Sequence, residues 1–96
     1  MIARFSTFQV QPDQIDGFVA ALRQAAALGA AKQAGLQSLL LVGDRGTGKE
    51  VLVSFWESEA AAQAAEPTYQ EALRELGRFL AGPPPTRESY EVLLQE

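Results

Sequence analysis

The stretch from Leu36 to Ser58, LQSLLLVGDRGTGKEVLVSFWES, restricts the fold more than any other part of the chain. Two apolar runs, LLLV and VLVSFW, flank a glycine-rich octapeptide, GDRGTGKE. The octapeptide nearly matches the phosphate-loop pattern G-x-x-x-x-G-K-[ST], through Gly43, Gly48 and Lys49. The match fails at Glu50, where a hydroxyl should meet the magnesium ion and a carboxylate would instead repel the phosphates. It fails again downstream, because a phosphate loop feeds a helix N-terminus. Here it feeds Val51 to Trp56, β-branched and aromatic residues that suit a strand. The segment therefore reads as a β-hairpin. Glycines 43, 46 and 48 are expected to supply positive φ, and Asp44, Arg45 and Lys49 to keep the tip in water. Nucleotide hydrolysis is disfavoured.

Both hairpin strands are apolar on both parities. Leu39 and Leu41 oppose Leu40 and Val42; Leu52 and Trp56 oppose Val51, Val53 and Phe55. A sheet built from them needs cover on both faces.

The rest of the chain supplies cover for one face. Ile2 to Val10 alternates as a first strand, with Ile2, Arg4, Ser6, Phe8 and Val10 on one side. Pro12-Asp13 opens a helix with Ile15, Phe18, Val19, Leu22, Ala25 and Ala26 as its apolar stripe. This helix is expected to continue through the alanine-rich stretch to Ala34 and stop at Gly35. Ser58 is a suitable N-cap for a short segment, SEAAAQAA, which Glu66-Pro67 should break. A further helical segment is expected from Pro67 to about Leu80, ended by Gly82-Pro83-Pro84-Pro85. Arg87 to Leu94 reads as a last strand, with Tyr90, Val92 and Leu94 on one face.

The order β-α-β-β-α-β defines an α+β, ferredoxin-like fold in one domain, residues 1–96: a four-stranded antiparallel sheet with its helices on one face. No third helix remains for the other face. A second copy is the simplest cover, so the expected partner is the chain itself, as a homodimer packed through its sheet faces.

Composition narrows the chemistry. The 96 residues carry a net charge of −4 with the acids dispersed, which argues against nucleic acid. No long uncharged apolar run suggests a membrane span. An apparent strand begins at Ile2, leaving no room for a signal peptide, and a cytoplasmic location is expected. There is no cysteine, histidine or asparagine. The usual base at neutral pH and the usual nitrogen and thiolate metal ligands are thus missing, and neither a metal site nor a cofactor is expected. Ser38 and Ser54 have no histidine to activate them, so a nucleophilic triad is ruled out.

The first strand, the helix opening near Pro12, the glycine-rich hairpin and then LVSFWESEAAAQA resemble the antibiotic biosynthesis monooxygenase (ABM) domain, of the dimeric α/β-barrel superfamily. The most specific piece is Phe55-Trp56-Glu57-Ser58, followed by an alanine-rich helix and Tyr69. The resemblance covers nearly the whole chain. It implies a pocket between sheet and helices with Trp56 in its wall. Family members include cofactor-free oxygenases of polycyclic phenols, quinol monooxygenases and haem-degrading enzymes. The haem-degrading branch uses a first-strand asparagine, falling here near Ser6, and a later histidine, falling here between Glu66 and Tyr69. Neither residue type occurs in this chain, which disfavours haem degradation. The asparagine that cofactor-free oxygenases tend to keep near the tryptophan is absent too.

The pocket residues expected on these grounds are Trp56, Arg4, Ser6, Phe8, Tyr69 and Phe79, with no catalytic residue assigned. Each has a plainer reading. Trp56, Phe8 and Phe79 could be ordinary core, Tyr69 and Tyr90 amphipathic packing, and Arg4 half of an ion pair, with Glu91 as one partner. Two functions fit: a cofactor-independent monooxygenase of small aromatic or quinol substrates, or a non-catalytic dimeric barrel holding a small hydrophobic ligand or a protein partner. In the first, an easily oxidised phenolate donates the electron to oxygen, and the protein supplies orientation and electrostatics.

Overall fold

A computed structural model describes residues 1–29 and 33–96. Its strands are β1 (Ile2–Gln9), β2 (Leu36–Gly43), β3 (Lys49–Trp56) and β4 (Thr86–Glu91). Its helices are α1 (Ile15–Leu28), α2 (Glu59–Ala64) and α3 (Glu66–Leu76), with single 3-10 turns at Pro12–Gln14 and Gly77–Phe79. The four strands form one antiparallel sheet in the order β2-β3-β1-β4. The expected α+β, ferredoxin-like sheet with helices on one face is therefore present.

The alternation of β1 sets the layers. Phe8 and Val10 are fully buried against Ile15 and Phe18 of α1, against Leu76 at the end of α3 and against Phe79 in the 3-10 turn after it. Phe8 and Phe18 pack at 5.4 Å between ring centroids, and Phe18 meets Phe79 edge-on at 6.4 Å. A second cluster joins Trp56 to Ala62 and Ala65. The other sheet face carries Leu40, Val53 and Phe5 in register across β2, β3 and β1. Leu40, Val42 and Tyr90 are about half exposed there, at 52%, 48% and 54%.

The hairpin closes through Asp44, whose N–H donates to Lys49 O and whose carbonyl accepts from Gly48 N. Its carboxylate accepts from the N–H groups of Gly46 and Thr47, an Asx-type turn. Of the three hairpin glycines only Gly48 takes positive φ, at 81°; Gly43 and Gly46 do not, contrary to expectation. Once the aspartate has capped the turn in ordinary backbone conformations, one left-handed residue returns the chain to the strand. A Cβ on Gly48 would lie 1.9 Å from Val10 O, so the position also demands close approach.

Four boundaries differ from the sequence expectations. Helix α1 ends at Leu28, with the Gly29 N–H donating to Ala25 O, because glycine is a poor helix former. The expected extension falls partly outside the described residues; Gln33 and Ala34 beyond them are not helical, and Gly35 lies in the turn entering β2. Glu66 begins α3 instead of ending α2, since the first turn tolerates Pro67, which has no N–H to place. Helix α3 stops at Leu76 and passes into a 3-10 turn, where Gly77 interrupts it. Strand β4 ends at Glu91, opposite Ile2, where its neighbour β1 begins. Leu93 and Leu94 thus stand 88% and 78% exposed. The Ser58 cap holds as expected: its hydroxyl accepts from Ala61 N at 3.1 Å.

Candidate functional site

The helix-facing residues of β1, β3 and β4 meet in transverse rows. Arg4 lies between Ser54 and Ser89, and Ser6 between Leu52 and Arg87. Above these rows, the sheet, the second half of α1 and the middle of α3 enclose a cavity of about 70 Å³. Its walls are apolar, with Leu22, Ala25 and Ala26 from α1, Leu39 and Leu52 from the sheet, and Ala72, Leu73 and Leu76 from α3.

Five of the six expected pocket residues line it: Trp56, Arg4, Ser6, Phe8 and Tyr69. Phe79 does not. It sits in the core beyond the cavity, packed on Phe18 and under the Arg78 guanidinium at 4.8 Å. The 3-10 turn that replaces the last helical turn carries Phe79 out of the row that Tyr69, Ala72 and Leu76 follow.

Trp56 ends β3 and is 6% exposed. Its indole N–H donates to Ser54 Oγ at 2.9 Å, fixing the ring as a wall. Arg4 Nε donates to Ser89 Oγ and Nη1 to Ala62 O, each at 3.2 Å. Glu91 is not its partner, because it pairs with Ile2 one step further along the sheet. Arg87 makes the acid contact instead, its Nη2 donating to both Glu66 oxygens at 2.5 and 2.7 Å. This hydrogen bond holds the Glu66 carboxyl below the usual carboxylate range against the opposing effect of burial; Gln70 and Arg4 assist.

The same Arg87 stacks on Tyr69, its guanidinium carbon 4.2 Å from the ring centroid. The Tyr69 hydroxyl is buried and has no hydrogen-bond partner among the described residues. Burial raises its pKa above the ordinary 10; the nearby Ser6 hydroxyl and the charge of Arg87 temper the rise. Ser6 is thus close, but without hydrogen-bond geometry to Tyr69. A neutral phenol at this point is a donor waiting for an acceptor, and such a group calls for a water or a ligand oxygen.

Sequence reasoning missed Arg87, Ser54, Thr68 and Gln33 as lining residues. The i, i+2 relation of Ser54 to Trp56 on one strand was a usable signal. Arg87 had none, because its place follows from the long-range register Ser6–Arg87. Gln33 Nε2 donates to Thr68 Oγ1 at 2.9 Å, tying the segment after α1 to α3 beside the cavity. Among the described residues the lining holds no carboxylate, and no group of His, Cys, Asp or Glu could hold a metal. No helix among them is long and apolar enough to cross a membrane.

Glu50 is a further surprise. It lies on the helix-facing side of β3 beside Phe8 and is only 3% exposed. Its carboxyl lies over Gly43, where a Cβ would come within 1.3 Å of Oε2. Burial raises its pKa; Arg45 opposes the rise and Asp44 adds to it.

These features define a ferredoxin-like α+β protein with a small apolar cavity, donor-rich at one end. The sequence pattern of the antibiotic biosynthesis monooxygenase family matches residues 1–75, and the chain belongs to that family. No curated protein matches it in sequence. Among solved structures it is similar to a candidate antibiotic biosynthesis monooxygenase from Caulobacter crescentus. That pair has TM-score 0.81 and 21% identity, over 97% of this chain and 90% of that one. It is also similar to SnoaB, a cofactor-independent oxygenase from Streptomyces nogalater, in a mutant form. Here the TM-score is 0.78 and the identity 17%, over 98% and 94% of the two chains. A Bordetella bronchiseptica candidate of the same family gives 0.74 at 24% identity, over 97% of each. The fold is monooxygenase-like.

Proposed function

We propose that the chain is a cofactor-independent oxygenase of a small hydroxylated aromatic, a quinol in the simplest case, held between Trp56 and Tyr69. The observation that carries this reading is the buried Tyr69 hydroxyl, without a partner among the described residues, at the polar end of an otherwise apolar cavity. Apolar walls with a few converging polar groups are what a small aromatic ligand needs. At about 70 Å³ the cavity is roughly half the ~150 Å³ engineered cavity that takes up benzene. One ring enters with side-chain adjustment, and fused rings would need a larger one.

The lining offers no carboxylate or imidazole as base, so the substrate brings its own acidity. For hydroquinone the balance is one O2 consumed, one oxygen atom placed on the ring and the other released as water, giving a hydroxyquinone. The four electrons come from the substrate. Arg4, Ser6 and Tyr69 orient the ring oxygen and stabilise charge on it. In the same proposal two copies pack through the open sheet faces, burying Leu40, Val42 and Tyr90. Oxygen uptake with a panel of hydroquinones tests the reaction. The expected result is uptake above autoxidation that Trp56→Ala abolishes; uptake at the autoxidation rate in both proteins defeats it.

The lack of a base in the lining favours a second reading, a binding protein without turnover. It predicts a retained aromatic ligand by native mass spectrometry and no oxygen uptake.

A further inference from the structure

The charges around the cavity do not cancel. Of the two arginines in its lining, Arg87 pairs with Glu66, whereas no described carboxylate lies within ion-pair distance of Arg4. Its two hydrogen bonds go to neutral acceptors, Ser89 Oγ and Ala62 O. Glu66 feels Arg4 only weakly and is already held by Arg87. A guanidinium has five N–H donors, so Arg4 keeps free donors and an uncompensated charge while lining the cavity. Tyr69 adds a hydroxyl donor without an acceptor. An unpaired, half-buried cation in an acidic protein is unexpected as mere structure, because a paired or solvated arrangement is the normal outcome.

We infer that the cavity selects an anion: a single aromatic ring carrying a carboxylate or ionised phenol oxygen, received by the Arg4 guanidinium and the Tyr69 hydroxyl, with Trp56 against the ring. This inference rests on the ring-binding part of the proposed function and adds the charge state of the ligand. Arg4 is then the specificity-determining residue, since charge-assisted hydrogen bonds are about twice as strong as neutral ones.

Isothermal titration with isosteric pairs tests it. Benzoate is compared with benzamide, and pentafluorophenol, ionised at neutral pH, with neutral pentafluoroaniline. The expected result is that at least one anion binds about tenfold or more tighter than its neutral twin. Arg4→Gln should remove that preference, and Arg4→Lys should keep part of it. The preferred anion tells carboxylate from phenolate. Far-ultraviolet circular dichroism of both variants verifies folding, and if Arg4→Gln fails to fold, the anion-to-neutral ratio of the native protein decides alone. Equal binding of the twins, a preference that survives Arg4→Gln, or no binding by any of the four overturns the inference. Oxygen uptake by a neutral quinol together with equal binding of the twins would leave the oxygenase reading standing and this one refuted. Anion selectivity without oxygen uptake would do the reverse.

Discussion

Arg87 covers the face of Tyr69, 4.2 Å from the ring centroid, while its Nη2 donates to both oxygens of Glu66. One side chain of β4 thereby fixes the first turn of α3 and holds the phenol ring at the cavity. Among the described residues, the hydroxyl at the far end of that ring is left without a partner. An orphaned buried donor costs stability, whereas a stacked cation contributes to it. The site keeps a group that the fold alone would be better without.

Tyr69→Phe should therefore separate stability from binding. Removing the hydroxyl keeps the ring, the Arg87 stack and the Glu66 contact. The variant should be more stable than the native protein by roughly 1 kcal/mol, the lower end of the cost of an unsatisfied buried donor. Its affinity for ring ligands should fall. Urea unfolding followed by circular dichroism reads the first effect and calorimetric titration the second. Lower stability with undiminished binding would show that the hydroxyl serves the fold.

The two perturbed carboxylates act on stability in opposite directions. Glu50 has a folded pKa above its ordinary 4.5, so between the two values the folded state binds more protons than the unfolded one. Stability falls as pH rises from 4.5 through the folded value and stays lowered above it. Glu66 has a folded pKa below 4.5, so its contribution is present above 4.5 and is lost as pH falls through the folded value. Glu50→Gln should stabilise the protein at neutral pH and flatten the profile above 4.5, leaving the acid limb. Glu66→Gln should flatten the acid limb. Urea midpoints across the pH range check both; a Glu50→Gln variant less stable than native at neutral pH would contradict the first.

The open sheet face gives a third prediction. Leu40 stands beside Val53, with Phe5 next across the sheet, and is 52% exposed. Leu40→Lys should convert a dimer into a monomer at micromolar concentration, with the far-ultraviolet spectrum unchanged. Sedimentation velocity is the measurement, and a native protein that is already monomeric would refute the assembly.

The fold was legible because its signals are local. Strand alternation, the Ser58 cap and the apolar stripes each arise within a few residues. The hairpin runs showed two apolar parities, and the open face follows directly from them. What was not legible depends on pairings distant in sequence. The end of β4 follows from where β1 begins, and the place of Arg87 from its register with Ser6. Phe79 would share the pocket row with Tyr69 only if the helical period ran on through Gly77, and the 3-10 turn changes that period. The burial of Glu50 was not legible, because nothing local says that Phe8 and Gly43 will cover it. Trp56, Arg4, Ser6, Phe8 and Tyr69 converge because one strand parity and one helical stripe face each other.

The central claim is that an aromatic ring enters the cavity beside Trp56. The chain has a single tryptophan, so its emission reports on that wall alone. Titration of the native protein with benzoate and with hydroquinone, followed by tryptophan fluorescence, is the most direct test. The account predicts a saturable change for at least one of them, abolished when Ala72→Phe fills the cavity without adding a second tryptophan. A strictly linear, collisional response equal to that of free tryptophan would contradict it.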